Sequence, residues 1–233
     1  MNLKKILSIC AIMAVALIGC NKDPETGTGT GEEPGNEDPK DHFNPNIKYG
    51  SMTDPRDGKT YKTTVIDGVT WMAENLNYDM DMSATGNMPL YNGCYDYSPQ
   101  NCEKYGRLYR EAQRVDACPA GWRLPDTTDV KKLLSFVDSV YMENFMGTGK
   151  SFHDYLRAQR GWRAYENGTD DFGFSALPGG DYDENRDPRF EWLLYAANFW
   201  TSNDGYMFGT SDRMGQYLGY ENAAISIRCI KNN

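Results

Sequence analysis

Apolar residues are concentrated in two parts of the chain, and the stretch between them has almost none. The first part is Ile6 to Ile18, which is apolar apart from Ser8. A membrane-spanning helix needs about 20 apolar residues, so this run has instead the length of the apolar region of a secretory signal peptide. Residues 21–41 contain no aromatic and no aliphatic side chain, so they cannot bury enough apolar surface to offset the entropy of ordering them. From about Tyr49 onward the apolar pattern indicates a folded head.

Several runs in this head have the composition and alternation of β-strands. They are residues 61–66, 69–73, 190–196, 199–202 and 224–230. The first two flank Asp67-Gly68, a pair that favours a two-residue hairpin turn. In the last run, Ser226 and Arg228 alternate with apolar neighbours, which is the pattern of a closing strand with one polar face.

Other segments have helical spacing, namely 110–116, 127–141 and, more weakly, 152–160. The longest of them places apolar residues at i, i+3, i+4 and i+7, which form one face of a helix. These residues are Val130, Leu133, Leu134 and Val137. Asp126 stands where a helix N-cap is expected, and Asp129 follows three residues later in a position like that of a capping box. Strands and helices together predict an α+β class.

The end of the leader resembles the lipobox of bacterial lipoproteins. The apolar run begins after Lys4 and Lys5 and ends in Leu17-Ile18-Gly19-Cys20. In a lipoprotein, cleavage leaves this cysteine as an acylated N-terminus that carries palmitate. Stable anchoring takes two or more hydrophobic signals, so a multiply acylated Cys20 would hold the protein at the outer membrane or cell surface. The alternative is an ordinary signal peptide with a cysteine near the cut.

Three segments follow from these patterns. They are a signal peptide over 1–19, an acylated cysteine and disordered acidic linker over 20–48, and a head over 49–233. The chain has a formal net charge of −9, which becomes −11 without the two lysines of the leader. A chain this acidic is a poor partner for nucleic acid or for an anionic membrane surface. The lipid is therefore the expected contact with the membrane, and nucleic acid is not an expected partner.

The cysteines of the head are Cys94, Cys102, Cys118 and Cys229. An even number in an exported chain indicates disulfides, although four cysteines allow three pairings. We favour a local bond between Cys94 and Cys102 and a long-range bond between Cys118 and Cys229. The alternative is a free, reactive Cys118, since the nearby Arg123 would favour its thiolate. The chain has only two histidines and no CxxC pair, which argues against a closed zinc site.

Six phrases of the head are characteristic of one family. They are MTDPRDGKTYKTTVIDGVTWMAENLNY at 52–78, YGRLY at 105–109, CPAGWRLP at 118–125, NGTDDFGFSALPGG at 167–180, FWTS at 199–202 and ISIRC at 225–229. Present in this order and covering nearly all of 50–230, they make the head similar to the Fibrobacter succinogenes major paralogous domain (FISUMP), a family of bacterial surface and secreted proteins.

This resemblance implies a C-type-lectin-like or formylglycine-generating-enzyme-like fold. Such folds have a twisted antiparallel sheet, two or three short helices and chain ends that lie together. A disulfide from the first helix region to the last strand is typical of them, which favours the bond between Cys118 and Cys229. The family has no established biochemical activity to carry over.

An acidic segment, DYDENRDPRFE at 181–191, is a candidate cation site. Its oxygen-bearing residues at alternate positions suit a hard cation such as Ca²⁺. They are Asp181, Asp183, Asn185 and Asp187. The segment lacks the glycine and the final glutamate of an EF-hand, so the alternative is a solvated acidic loop. We expect no other cofactor.

Aromatic residues are abundant, with 16 tyrosines, 5 tryptophans and 9 phenylalanines. Many of them must lie in the core. Tyr97, Tyr182 and Tyr206 are close to acidic turns, where we expect an exposed platform for sugar rings or for another protein.

The sequence therefore predicts a cell-surface lipoprotein with a non-catalytic binding or adhesion domain, whose ligand is an extracellular polysaccharide or a protein. One alternative is an enzyme of the formylglycine-generating type, which requires accessible redox-active cysteines. The other is a structural component of a surface assembly. We expect no catalytic residues in this chain.

Overall fold

The computed structural model describes residues 41–80, 93–144, 152–163, 165–204, 206–209, 215–216 and 223–232. The predicted signal peptide, Cys20 and the linker up to residue 40 lie outside these ranges. The described residues form an α+β fold with antiparallel sheets, few helices and two disulfides, as the sequence predicts. In these ranges no helix has the length and apolar character needed to cross a bilayer.

The strands form three sheets, and every pairing within them is antiparallel. In chain order they are β1 (Gly50–Thr53), β2 (Thr60–Ile66), β3 (Val69–Met72), β4 (Tyr109–Arg110), β5 (Trp122–Arg123), β6 (Gly179–Asp183), β7 (Phe190–Leu193), β8 (Asn198–Trp200), β9 (Tyr206–Gly209), β10 (Gly215–Gln216), β11 (Ala223–Ile225) and β12 (Ile230–Lys231). The first sheet has the order β1-β2-β3-β12-β5, the second β10-β9-β8, and the third β4-β11-β6-β7. In the first sheet β12 lies between β3 and β5, so the end of the head is paired with its beginning.

The hairpin prediction is confirmed. Ile66 of β2 pairs with Val69 of β3. The two residues between them, Asp67 and Gly68, have φ angles of 48° and 76°. Asp and Gly are suited to the positive φ values that this turn requires, and a turn of this type matches the twist of the two strands.

The helices are α1 (Pro99–Tyr105), α2 (Glu111–Arg114) and α3 (Thr127–Asn144). The predicted cap of α3 is confirmed, because Asp126 Oδ1 accepts from the backbone N–H groups of Thr128 and Asp129 at 2.7 and 2.8 Å. Asp129 Oδ2 in turn accepts from the Asp126 N–H at 2.9 Å. The segment at 152–160 forms only a 3₁₀ turn at Phe152–Tyr155, and α1 was not predicted, although Pro99 at its start is typical of a helix N-terminus.

The apolar face of α3 packs into the largest core cluster, where Val130, Leu133 and Val137 are buried. Four buried rings of this cluster contact one another. They are Trp71, Phe174, Phe199 and Phe208, hereafter the buried aromatic cluster. A second cluster lies around Cys229, Tyr109 and Trp200.

The last predicted strand is interrupted, which corrects the prediction for 224–230. It becomes β11 and β12, and the residues between them belong to no strand, although Ser226 forms a bridge with Phe199 and the carbonyls of Ile227 and Cys229 accept backbone hydrogen bonds. The expected polar face is also wrong, since Ser226 and Arg228 are 1% and 0% exposed. Both side chains point into the protein and make hydrogen bonds there.

The folded head begins before residue 49, where the sequence predicted the end of the disordered linker. Within 41–48, His42, Phe43 and Asn44 are buried. Asn44 donates through Nδ2 to the carbonyl of Asp170 at 3.0 Å, and the ammonium of Lys62 lies 3.8 Å from the Phe43 ring centroid. The composition argument holds only for residues without apolar side chains, and Phe43 begins the folded head.

Candidate functional site

Both favoured disulfides are present. Cys94 is bonded to Cys102, and Cys118 is bonded to Cys229 across 111 residues of sequence. The alternative of a free, reactive Cys118 is therefore wrong. Arg123, which would have favoured a thiolate, is instead hydrogen-bonded to Asp129 at 2.6 Å. The four cysteines of the head therefore serve as cross-links.

Arg228 is the centre of a buried polar network. Its guanidinium donates to Asn75 Oδ1 at 2.6 Å, to the carbonyl of Met72 at 3.1 Å, to that of Ser175 at 2.9 Å and to that of Phe174. It also lies 4.8 Å from the Phe174 ring centroid. Burial lowers the pKa of Arg228 to about 9, so the group is charged at neutral pH. Its donors hold separate loops together, which is a structural role.

Asp170 belongs to the same network, on the far side of Ser175. It accepts from the Ser175 N–H and hydroxyl at 2.6 Å each and from the Tyr49 hydroxyl at 3.1 Å. Burial raises its pKa to about 6, although these donors and the charge of Arg228 oppose that rise. Asp170 is 0% exposed, so it cannot meet a ligand and acts as a loop anchor.

The structure does not bring the predicted calcium ligands together. Asp181 lies inside β6 and is buried, whereas Asn185 and Asp187 are exposed in the following loop. Asp183 accepts from the Asn185 N–H and forms an ion pair with Arg186. In the part of the chain that the structure describes, no group of three or more His, Cys, Asp or Glu residues is placed to hold a metal. The prediction of a cation site at these four residues is corrected accordingly.

Asp181 is the unusual member of this segment. It is 2% exposed, and its Oδ1 has no hydrogen-bond partner. Burial raises the pKa of Asp181 to about 7, and the carboxylates of Glu191 and Asp183 act in the same direction against the opposing charge of Arg186. Glu191 faces Asp181 across the pairing of β6 with β7. The alternating pattern of acids, interpreted from sequence as a loop, is in part a buried strand.

The predicted tyrosine platform is corrected at one position. Tyr182 is 3% exposed and packs on Phe190 with ring centroids 5.0 Å apart. Tyr97 is 41% exposed and also contacts Phe190, edge-on, with ring centroids 5.0 Å apart. Tyr206 begins β9, but its side chain lies outside the described part of the chain. These tyrosines do not form a shared exposed surface among the described residues.

A different set of aromatic residues is exposed. Trp192 is 54% exposed, Tyr195 47%, and Tyr165 fully exposed. Trp192 and Tyr195 are the ends of one turn, closed by the hydrogen bond from the Tyr195 N–H to the Trp192 carbonyl at 2.9 Å. We call Trp192, Tyr195 and Tyr165, together with Arg163 and Glu166 beside Tyr195, the aromatic patch.

Arg163 joins the two turns that form the aromatic patch. Its N–H donates to the carbonyl of Leu194 at 3.2 Å, and its guanidinium lies 4.7 Å from the Tyr195 ring centroid. The same side chain donates through Nε to Glu166 Oε1 at 2.5 Å. Arg163 also closes the second turn, since its carbonyl accepts from the Glu166 N–H at 3.0 Å. The turn that carries Tyr165 is thereby held against the turn that carries Trp192.

Sequence reasoning missed the aromatic patch because these residues looked like core. The run at 190–196 was predicted to be one aromatic strand, whereas only Phe190–Leu193 is β7. Trp192 and Leu194 have φ angles of 64° and 69°, which breaks the alternation. A bulky residue rarely adopts positive φ, so no sequence signal marks this turn.

A cleft of about 390 Å³ lies elsewhere, where α1 meets the segment after β3. Several of its polar groups are engaged within the protein, although the buried Asn77 Oδ1 has no hydrogen-bond partner among the described residues. Lys59 donates to Asp57 Oδ2 and to the Asn77 carbonyl at 2.9 and 2.7 Å. Glu74 accepts from the Lys62 N–H, and Asn75 binds Arg228. The cleft is therefore a weaker candidate for a ligand site than the aromatic patch.

The fold and the cross-links define an α+β domain with two disulfides. A family model for the Fibrobacter succinogenes major domain matches residues 65–231, and the chain belongs to this family. No curated protein matches the chain, and no solved structure matches it either. The lectin-like kinship expected from the sequence stays a prediction.

Proposed function

We propose that this chain is a lipid-anchored surface protein whose head binds an extracellular ligand without catalysis. The observation that carries the proposal is the aromatic patch, because solvent-exposed groups of large aromatic rings mark interaction sites more often than they stabilise a fold. The family of surface-associated domains to which the chain belongs fits this role. Acylated Cys20 would tether the head, and the acidic linker would extend it from the outer membrane.

The cysteines support a binding role over the enzyme alternative. A formylglycine-generating type of reaction needs accessible thiols, and the four cysteines of the head are paired with one another. Titration of the folded, unreduced protein with a thiol reagent is expected to find no reactive cysteine in the head. Two titratable thiols would favour the enzyme instead.

The anchor has its own test. Cells that express the full chain and are fed labelled palmitate should yield a labelled protein that is accessible to protease on intact cells. The variant Cys20→Ser should lose the label and leave the membrane fraction. A Cys20→Ser variant that keeps both would contradict lipid anchoring.

The binding function is tested with the full chain in liposomes. The probes are polysaccharides immobilised on a solid support, both neutral (cellulose, starch, arabinoxylan) and anionic (alginate), and immobilised collagen as a protein. We expect saturable binding to one class, unchanged by EDTA since no ion is required. An absence of saturable binding to every probe would overturn the proposal and favour a component that only assembles with itself.

A further inference from the structure

We propose that the aromatic patch is a binding site for a neutral polysaccharide chain. This inference rests on the binding function proposed above and adds to it the site and the ligand class. It replaces the platform expected at Tyr97, Tyr182 and Tyr206, since Tyr182 is buried.

Trp192 and Tyr195 are not the residues that fix their turn to the rest of the protein. Leu193 and Leu194 have that role, because both pack against the core cluster that contains Leu177. The backbone is fixed as well, since the Leu194 N–H donates to the Pro178 carbonyl at 3.1 Å. With these contacts in place, Trp192 is free to present about half of its surface to solvent. Large apolar side chains held at the surface of a fixed turn are suited to contact a ligand.

The backbone under the aromatic patch is strained in the way that ligand sites often are. Among the described residues, eight non-glycine residues have positive φ, and Tyr165, Trp192 and Leu194 are three of them. Glycine would adopt these angles without steric cost. Strain of this kind is concentrated at binding and active sites, where the surrounding structure holds it. The two turns carry aromatic residues where folding alone would favour glycine.

The chemistry of the aromatic patch suits a neutral sugar polymer. The C–H face of a sugar ring is weakly apolar and packs on an aromatic ring, while the hydroxyl groups at its edge need both donors and acceptors. Arg163 supplies guanidinium donors and Glu166 supplies carboxylate acceptors beside the rings. These two charges are paired with each other, and the chain has a net charge of −9. An anionic polymer would gain no net attraction here and would be repelled by the chain as a whole.

A protein partner fits the aromatic patch less well. Protein interfaces usually have an apolar centre that becomes fully buried. In this patch the aliphatic side chains Leu193 and Leu194 are turned toward the core, and each exposed ring carries a polar N–H or O–H group. Rings with polar edges and no exposed aliphatic centre match the alternating apolar and hydroxyl surfaces of a glycan.

The test compares the full chain in liposomes with two patch variants and one control. Trp192→Gly removes the largest ring and relieves its backbone strain, and Tyr195→Ala removes the second ring. Tyr97→Ala is the matched control, since Tyr97 is also an exposed aromatic residue with positive φ but lies outside the patch. The readout is the Kd for cellulose, starch or arabinoxylan, whichever the wild type binds, with alginate as the anionic probe. Thermal unfolding of each variant verifies that it is folded.

We expect Trp192→Gly and Tyr195→Ala each to raise Kd by roughly tenfold or more, the loss of about one stacked ring, while Tyr97→Ala changes it less than about twofold. Full affinity in both patch variants would overturn the site and leave the binding function standing. Preference for alginate or for collagen would overturn the ligand class. No binding by the wild type would overturn both this inference and the function on which it rests.

Discussion

The molecule contains two groups of aromatic residues with opposite environments. The buried aromatic cluster joins Trp71 of the first sheet to Phe199 and Phe208 of the second, with ring centroids 5.0 to 6.3 Å apart. In the aromatic patch, Trp192 and Tyr165 are exposed on turns. Residue type does not separate the two groups, since each contains a tryptophan. The difference lies in the surroundings, because the rings of the first group pack against one another in the core, whereas Trp192 and Tyr165 have positive φ and lie largely in solvent.

The two groups also differ in the charges beside them. Arg228 lies against Phe174 and Phe199 and is fully buried, so each of its donors must be satisfied by the protein. Arg163 lies against Tyr195, is half exposed and keeps contact with water. The comparison teaches that the same pairing of arginine with a ring stabilises the core in one place and leaves a surface available in the other.

The largest change in the free energy of unfolding is expected for a substitution in the buried aromatic cluster. Phe174→Ala should lower the free energy of unfolding by about 3–5 kcal/mol, because it removes a fully buried ring and leaves a cavity. Tyr165→Ala in the aromatic patch should change it by less than about 0.5 kcal/mol. Urea unfolding followed by circular dichroism measures both. Similar losses in the two variants would mean that the groups do not differ in role.

A somewhat smaller loss of stability is expected when the buried charge of Arg228 is removed. Arg228→Met keeps the apolar stem but leaves the carbonyls of Phe174 and Ser175 without their donor, which should cost about 3 kcal/mol. The control is Arg160→Met, since Arg160 is half exposed and its ion pair with Asp41 should contribute less than about 1 kcal/mol. If Arg228→Met were as stable as wild type, the network around Arg228 would not hold the core together.

The next effect is a pH dependence of the free energy of unfolding, and it comes from Asp181 in β6, the strand that pairs with β7. Burial raises the pKa of Asp181 from 3.8 to about 7, so between these values the folded protein keeps a proton that the unfolded chain releases. Stability from this group is therefore full below pH 3.8 and is lost as the pH rises toward 7. Asp181→Asn should remove a decline on the order of 3 kcal/mol between pH 4 and 7.

The measurement is the free energy of unfolding at intervals of pH for wild type, Asp181→Asn and the exposed control Asp138→Asn. The control should keep the wild-type slope, since Asp138 lies on the solvent side of α3. Parallel curves for wild type and Asp181→Asn would show that Asp181 is solvated and that the pairing of β6 with β7 does not bury a charge.

The smallest effect on stability is expected in the aromatic patch. Trp192→Gly removes a half-exposed ring but relieves a left-handed backbone angle, so stability should stay at the wild-type level or rise by up to about 1 kcal/mol. Thermal and urea unfolding measure the change. A loss beyond about 1.5 kcal/mol would mean that Trp192 anchors the turn, which would place it with the buried aromatic cluster.

Features that depend on neighbouring residues were predictable from the sequence. The hairpin at Asp67-Gly68 and the cap at Asp126 follow from the geometry that these residues favour, and both are confirmed. The disulfide between Cys118 and Cys229 was favoured by the exported context and by the family resemblance. Each of these depends on local chemistry or on a pairing with few alternatives.

The candidate site was not predictable, because it depends on contacts between distant segments. Arg228 looked like the polar face of a strand, and only the approach of the Phe174–Ser175 loop explains its burial. Tyr182 and Trp192 are both aromatic residues beside acidic ones, yet the first is buried by Phe190 and the second is turned out by its φ angle. Tertiary packing and backbone conformation determine whether these side chains are buried or exposed. Neither can be inferred from the spacing of residues in the sequence.

The most direct test of the central claim is the Kd of the full chain and of Trp192→Gly for one neutral polysaccharide that the wild type binds. If the exposed rings serve binding and the buried rings serve folding, Kd rises by roughly tenfold or more while the unfolding temperature does not fall. An unchanged Kd in a folded Trp192→Gly protein would contradict the account.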